Sequence, residues 1–301
     1  MMMMSKPPMF SIIPSRTSND GLTLASHRAI PQDALVLTIP RTICTSGITL
    51  DNLISNLLLE EKRQTDAGEY FSKLKQRVLR NAFVDEWSDR AVELTGQMGA
   101  VHEMVQSAKT SASACPHGRR LFWLTKSRMF LDNCNDGLLV FVPWADLCDH
   151  DPLAPVAYHF NNKANSDFEL FAHKPVVAGQ PVEISYGSNR HNMSLLASYG
   201  FCIEDNPHDL VVLKNRYHVS LSTPAWQAMN DLGRDEFVGG LNELIASMPV
   251  VEDFVFDIKR AEDSVVQQDA WRNALALRNT RMNILRANRD FAVNIFNNSY
   301  T

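Results

Sequence analysis

No two cysteines in this chain stand at the C-x-x-C spacing of metal fingers and redox sites. The five that occur, Cys44, Cys115, Cys134, Cys148 and Cys202, are scattered. An odd, unpatterned set reads as reduced thiols in an intracellular protein and speaks against structural zinc. Blocks of five or six like charges are absent, as is any Lys/Arg cluster long enough for a basic patch. With a formal charge of −5 and a pI near 6.0, a nucleic-acid coat protein is not expected. Apolar runs fall short of the roughly 20 residues that cross a bilayer. The opening MMMMSKPPM is too short and too broken by prolines for a signal or membrane segment. No G-x-S-x-G occurs and no Ser/His/Asp set stands out, which leaves nucleophilic hydrolysis unsupported. These absences point to a soluble protein, cytoplasmic or nuclear, with neither membrane nor nucleic acid as partner.

The 301 residues are 45% apolar and 21% charged, enough for one large domain with insertions or for two domains. Between residues 10 and 45, FSIIPS, GLTLAS and ALVLTIP read as strands separated by turn residues, a small β-meander. Residues 46–119 change to apolar positions at three- and four-residue spacing, the mark of amphipathic helices. Ser88-Asp89 is a credible helix N-cap there, and the small, polar KTSASACPHGRR reads as a loop. Arg120 to Phe130 (RLFWLTKSRMF) predicts a helix, Asp132–Gly137 a turn, and LLVFVP a buried strand. Alternation around Phe168–Ala172, a turn at Gly179–Pro181, a strand VEISYG and a short helix ending in SYGF follow. Two tyrosines, Tyr186 and Tyr199, each close an apolar segment just before a glycine. Beyond Asp209 come two short strands. Helices then run to the end of the chain, the first starting at Thr223-Pro224 and a long one spanning Glu262 to Phe296.

Several of these stretches match a known pattern. GLTLASHRAIPQDALVLTIPRTI, FVDEWSDRAVELTGQMG, Ser127-Arg128-x-Phe130, the Asp146–His150 stretch DLCDH, the "I-x-Y" at Tyr186, the "Y-G-F" at Tyr199 and Glu204-x-Asn206-Pro207-x-Asp209 occur in order. Together they resemble a SET domain of the Rubisco large-subunit lysine methyltransferase subgroup. The resemblance implies an α+β fold, with a β-rich SET domain at 10–45 and 120–212 interrupted by a helical insertion at 46–119. A C-terminal, mostly helical, substrate-docking-like region would occupy 213–301. The implied activity is S-adenosyl-L-methionine (SAM)-dependent N-methylation of a lysine side chain on a protein substrate.

The resemblance also assigns roles. Tyr186 takes the catalytic position. Asn19, Asp20, Gly21, Leu22, Asp149, His150 and Tyr186 fall where the family holds SAM. Ser127, Arg128, Phe130, Asp146, Tyr158 and Tyr199 fall where it binds the substrate. A histidine-methylating relative carries asparagine at the place of Phe130, so Phe130 points to lysine or another aliphatic amine. His150 as a metal ligand is not expected, because no His or Cys partner has suitable spacing.

Two departures stand out. Only Gly21 remains of the family's glycine-containing turn, and Asp149 replaces the asparagine of its Asn-His pair. An ionised Asp only accepts hydrogen bonds, whereas Asn also donates. Asp149 could accept from the SAM ammonium, strengthened by charge, yet it would repel the SAM carboxylate. The alternatives are therefore a SET-fold pseudoenzyme acting as a binding module, or a SET-fold enzyme turned to a small-molecule substrate.

Overall fold

The computed structural model describes residues 12–16, 22–76, 83–132, 134–135, 137–160, 167–187, 189–213, 217–221, 226–261 and 264–297. In chain order come β1 (Ile12–Arg16), β2 (Leu22–Ser26), β3 (Leu35–Ile39), β4 (Thr45–Gly47), α1 (Leu50–Lys62), α2 (Asp66–Lys75), α3 (Asp89–Leu94) and α4 (Met98–Ala114). They are followed by α5 (Arg119–Lys126), β5 (Met129–Asp132), β6 (Leu138–Phe141), β7 (Val156–Phe160), β8 (Phe168–Ala172) and α6 (Asn192–Tyr199). The remainder is β9 (Val211–Leu213), β10 (Tyr217–Val219), α7 (Trp226–Leu232), α8 (Arg234–Ala246), α9 (Val255–Arg260) and α10 (Val265–Asn297). The fold is α+β.

Two compact units divide the chain: Met1–Leu79 with Ser113–Ser188, and Arg80–Ala112 with Asn189–Thr301. These boundaries differ from the expected ones at 46, 119 and 212. The helical segment splits because its parts bury their apolar faces in different places. In the first unit Leu53 and Leu57 of α1 share a cluster with Phe71 and Leu74 of α2, Leu124 of α5 and Phe141 of β6. In the second, Ala91, Val92 and Leu94 of α3 are buried and the helix packs against α10.

In the first unit β1 and β2 form a hairpin, but the expected meander stops there. β3 joins a sheet of order β3-β8-β7, and β4 one of order β4-β6-β5. All of these pairings are antiparallel. Val36, Leu37 and Ile39 are all buried, so β3 needs apolar cover on both faces, which the later strands supply. Alternation along β8 sends Phe168, Leu170 and Ala172 into the core.

Three local expectations need correction. VEISYG is extended but forms no ladder. It meets its neighbours at isolated bridges, Ala25 with Pro181 and Ile184 with both His150 and Val156. KTSASA is helical rather than loop. Val101, Val105, Ala108 and Ala112 are buried at helical spacing along α4, and the small alanines carry the apolar face that a composition reading misses. The helix expected over 120–130 stops at Lys126, and Phe130 lies on strand β5. Ser88 does cap its helix, accepting from the Ala91 amide. Thr223-Pro224 lies outside the described residues.

α1 and α2 approach closely at Gly68, where a Cβ would run into the main chain at Glu60 and Glu61. Backbone cannot step aside as a side-chain tip can. Gly68→Ala is therefore expected to lower the stability of the first unit by about 3 kcal/mol, the upper range for an overpacked core. Urea unfolding measures it, and a loss under 1 kcal/mol would contradict the close crossing.

The second unit holds α10 against β9, β10 and α8 around Phe237, Leu241, Ile284 and Leu285. The E-x-N-P-x-D stretch is structural here. Asp209 accepts from the Asn192 amide and side chain, Asn192 Oδ1 accepts from the Ile203 amide, and Asn206 donates to the Arg190 carbonyl. Burial raises the Asp209 carboxyl, and its Asn192 bonds partly offset that. Gly200 (φ 81°) supplies the left-handed residue that ends α6.

Candidate functional site

The first unit gathers most of the singled-out side chains. Because β5 follows α5 directly, Ser127, Arg128 and Phe130 leave the helix end in three directions. Ser127 turns back, its hydroxyl donating to the Trp123 carbonyl at 2.8 Å. Arg128 donates to both the carbonyl and the carboxylate of Asp146, at 2.9 and 3.2 Å. Phe130 points into the core, edge-on to Tyr158 and Phe168 with both centroids at 5.0 Å. Tyr158 stacks on Phe168 at 5.5 Å. Three rings from β5, β7 and β8 thus form one aromatic wall.

Tyr186 packs on the edge of the same core. Its hydroxyl donates to the Cys148 carbonyl at 2.7 Å. Its amide donates to His150 Nδ1 at 3.1 Å, and the two rings stack at 5.0 Å. His150 Nδ1 also lies 3.4 Å from the Ile184 carbonyl oxygen. The stretch from Cys148 to His150 therefore grips Tyr186 at both ends, and the Asp149 carbonyl accepts from the Ile184 amide at 2.9 Å. His150 positions the tyrosine as well as standing where the resemblance put a cofactor contact.

Asp149 is open to solvent yet surrounded by enough protein that desolvation raises its carboxyl. The Thr23 hydroxyl and Arg128 partly offset that rise. Thr23 itself is buried on β2. Glu183 is also raised, first by burial and then by Asp151 and Asp149. Leu22 opens β2, while Asn19, Asp20 and Gly21 lie outside the described residues. The structure thus brings Arg128, Phe130, Asp146, Asp149, His150, Tyr158 and Tyr186 into one unit. Tyr199 belongs to the other, where its ring faces Phe201 at 6.2 Å and Arg190 lies over it at 5.8 Å.

Sequence reasoning missed Thr23, the Cys148 carbonyl and Tyr70, whose hydroxyl donates to Asp146 at 2.6 Å. Nothing local marks them, since each matters only through a partner distant in sequence. Among the described residues no group of three His, Cys, Asp or Glu could hold a metal ion. No described helix is long and apolar enough to cross a membrane.

No family model matches the chain. Two curated proteins show local similarity. Ribosomal lysine N-methyltransferase set10 of Schizosaccharomyces pombe is 30% identical over 99 residues, 32% of this chain and 18% of that protein. The chloroplastic [fructose-bisphosphate aldolase]-lysine N-methyltransferase of Arabidopsis thaliana is 31% identical over 144 residues, 46% of this chain and 27% of that protein. The matched stretches thus span less than a third of either relative's length. Among solved structures, the SET domain of LSMT bound to lysine and AdoHcy superposes with a TM-score of 0.63 at 14% identity, covering 97% of this chain and 88% of that one. Rubisco LSMT bound to AdoMet gives 0.60 at 14% identity, with the same coverage. The chain has the SET fold, and the two curated proteins it resembles in sequence are lysine N-methyltransferases.

Proposed function

We propose that this chain is an S-adenosyl-L-methionine-dependent protein-lysine N-methyltransferase, with Tyr186 as its catalytic tyrosine. The observation that carries the reading is the Tyr186 hydroxyl, anchored on the carbonyl of Cys148, the residue before Asp149, with Tyr186 packed on the same core cluster as Phe130, Tyr158 and Phe168. SAM, when bound, supplies a methyl group on a sulfonium, open to in-line displacement by a neutral amine.

The donor set fits that cofactor. Asp149 offers an acceptor for its ammonium, and Arg128, close enough to lower the Asp149 carboxyl, counters the repulsion that Asp149 exerts on its carboxylate. Asp149, His150 and the main chain at Leu22 are the described residues that would hold it, with Asn19, Asp20 and Gly21 assigned by resemblance. Tyr186 donates its hydroxyl hydrogen bond to the Cys148 carbonyl oxygen, which leaves the phenol oxygen's lone pairs to face the amine. Aromatic rings exclude water from the amine and disfavour its ammonium form. That matters because neutral lysine costs about 4–5 kcal/mol at pH 7 from a reference pKa near 10.4. Holding amine and methyl in line contributes roughly 7–11 kcal/mol more.

The acceptor in this reading is a lysine-bearing protein, with Ser127, Arg128, Phe130, Asp146 and Tyr158 of the first unit on its side of the site; Tyr199 is assigned to it by resemblance alone. A cytoplasmic or nuclear location suits the free thiols.

Calorimetric titration with SAM tests the reading. A charge-assisted bond from Asp149 contributes about 1.5–3 kcal/mol before repulsion is subtracted. Asp149→Asn is expected to stay within about tenfold of wild type, because the amide oxygen keeps the contact. Asp149→Ala is expected to bind more than about tenfold more weakly. Lowering the pH protonates Asp149 over a range moved upward by burial, so wild-type affinity should fall there while the Asn variant stays flat. A wild type that does not bind, rescued by Asp149→Asn, would favour the binding-module reading that the Asp149 replacement suggests.

A further inference from the structure

Helix α2 reaches this site with Tyr70. Tyr70 donates to Asp146 Oδ1 at 2.6 Å, and its ring packs 5.4 Å from Trp144 and 6.1 Å from Phe141. Burial, then the adjoining Asp146 carboxylate, raises the phenol far above its ordinary range. The hydroxyl is therefore a fixed donor at any working pH. On the other side of the same carboxylate stands Arg128. The Asp146 side chain has no exposed surface, so it acts through the neighbours that enclose it. Between Tyr70's contacts lies Trp144, at φ 67° and ψ −41°. A non-glycine residue holds that conformation only where its surroundings over-determine it. The short 3-10 turn Ala145–Leu147 starts from this residue and delivers the Cys148 carbonyl to the Tyr186 hydroxyl and the Asp149 carbonyl to Ile184.

We infer that Tyr70 is a positioning residue: it clamps the Trp144–Asp146 turn and thereby sets where Cys148 aims the Tyr186 hydroxyl. Its effect on turnover rests on the methyltransferase reading, whereas the clamp itself does not. Tyr70→Phe removes the hydroxyl and keeps the ring against Trp144.

Hydrogen–deuterium exchange on the full chain reads the clamp without any substrate. In Tyr70→Phe, exchange over residues 145–150 and 184–186 is expected to rise about tenfold, the scale of a lost hydrogen bond to a charged group. Residues 35–39 and 168–172 should stay unchanged. Equal exchange in variant and wild type, or a rise throughout the unit, overturns the clamp.

Transfer of labelled methyl from SAM to poly-L-lysine reads the consequence. Tyr70→Phe should lower kcat about tenfold with a smaller change in KM for SAM, and the Tyr70→Phe, Tyr186→Phe double variant should match Tyr186→Phe alone in kcat. A merely structural role would instead multiply the two losses. Local loosening by exchange, together with a wild type that methylates no acceptor, would uphold the clamp and sink the methyltransferase reading.

Discussion

Tyr186→Phe is expected to lower methyl transfer by about 10²–10³-fold, the loss measured when one preorganised polar group is removed from a reaction centre. The substitution is nearly silent for packing, since the ring keeps its stack on His150 and its amide keeps the bond to Nδ1. What goes is the oxygen held by the Cys148 carbonyl at 2.7 Å. SAM affinity should change little, because Asp149 and the main chain are untouched. The measurement is single-turnover transfer from labelled SAM with enzyme in excess, alongside a SAM titration of the same variant. Turnover equal to wild type would remove Tyr186 from the chemistry. Loss of SAM binding instead of turnover would recast it as a cofactor contact.

Asp132→Ala is expected to cost about 3–5 kcal/mol of folding stability, the range for removing one partner of a buried ion pair. Asp132 ends β5 with its side chain wholly buried, and the Arg41 side chain beside it is only 14% exposed. One carboxylate oxygen accepts from the Arg41 guanidinium at 2.9 Å and from the Asn135 side chain at 2.8 Å. The other accepts from the Cys134 amide at 3.0 Å. Alanine leaves those donors without their acceptor and strands a guanidinium over the Phe160 ring. Asp132→Asn retains an acceptor oxygen and should lose about half as much. Urea unfolding of the three proteins gives the comparison, and an alanine variant within 1 kcal/mol of wild type would show that water reaches Arg41 after all.

What the sequence disclosed depended on whether the relevant signal was local. Alternation along Phe168–Ala172 and the hydroxyl of Ser88 three residues before a helical amide are local, and both appear as expected. The helical end of α4 was hidden because Ala108 and Ala112 pack like core residues while their neighbours look like loop. VEISYG has strand composition, but its partners touch it only at single positions, so no ladder forms. The site shows the same split. Tyr186, Asp149 and His150 were legible from their motif. Tyr70 was not, because its one telling contact lies 76 residues away at Asp146.

The pairing of β3 with β8 sets a timetable for synthesis. Leu35 meets Phe171, 136 positions later in the chain. At 5–20 residues per second a ribosome needs roughly 7–27 s to deliver the partner. Through that interval the nascent chain carries an apolar strand, with Val36, Leu37 and Ile39, that has no sheet to enter. Closing so long a loop adds little to the equilibrium cost, which grows only with the logarithm of length. Its cost falls on kinetics, where pairings this distant are slow. Helices α1 and α2, made in between, can form from local contacts well before β8 emerges. The unit would then assemble from its middle outward, with the two sheets, and the tyrosine they support, completed last.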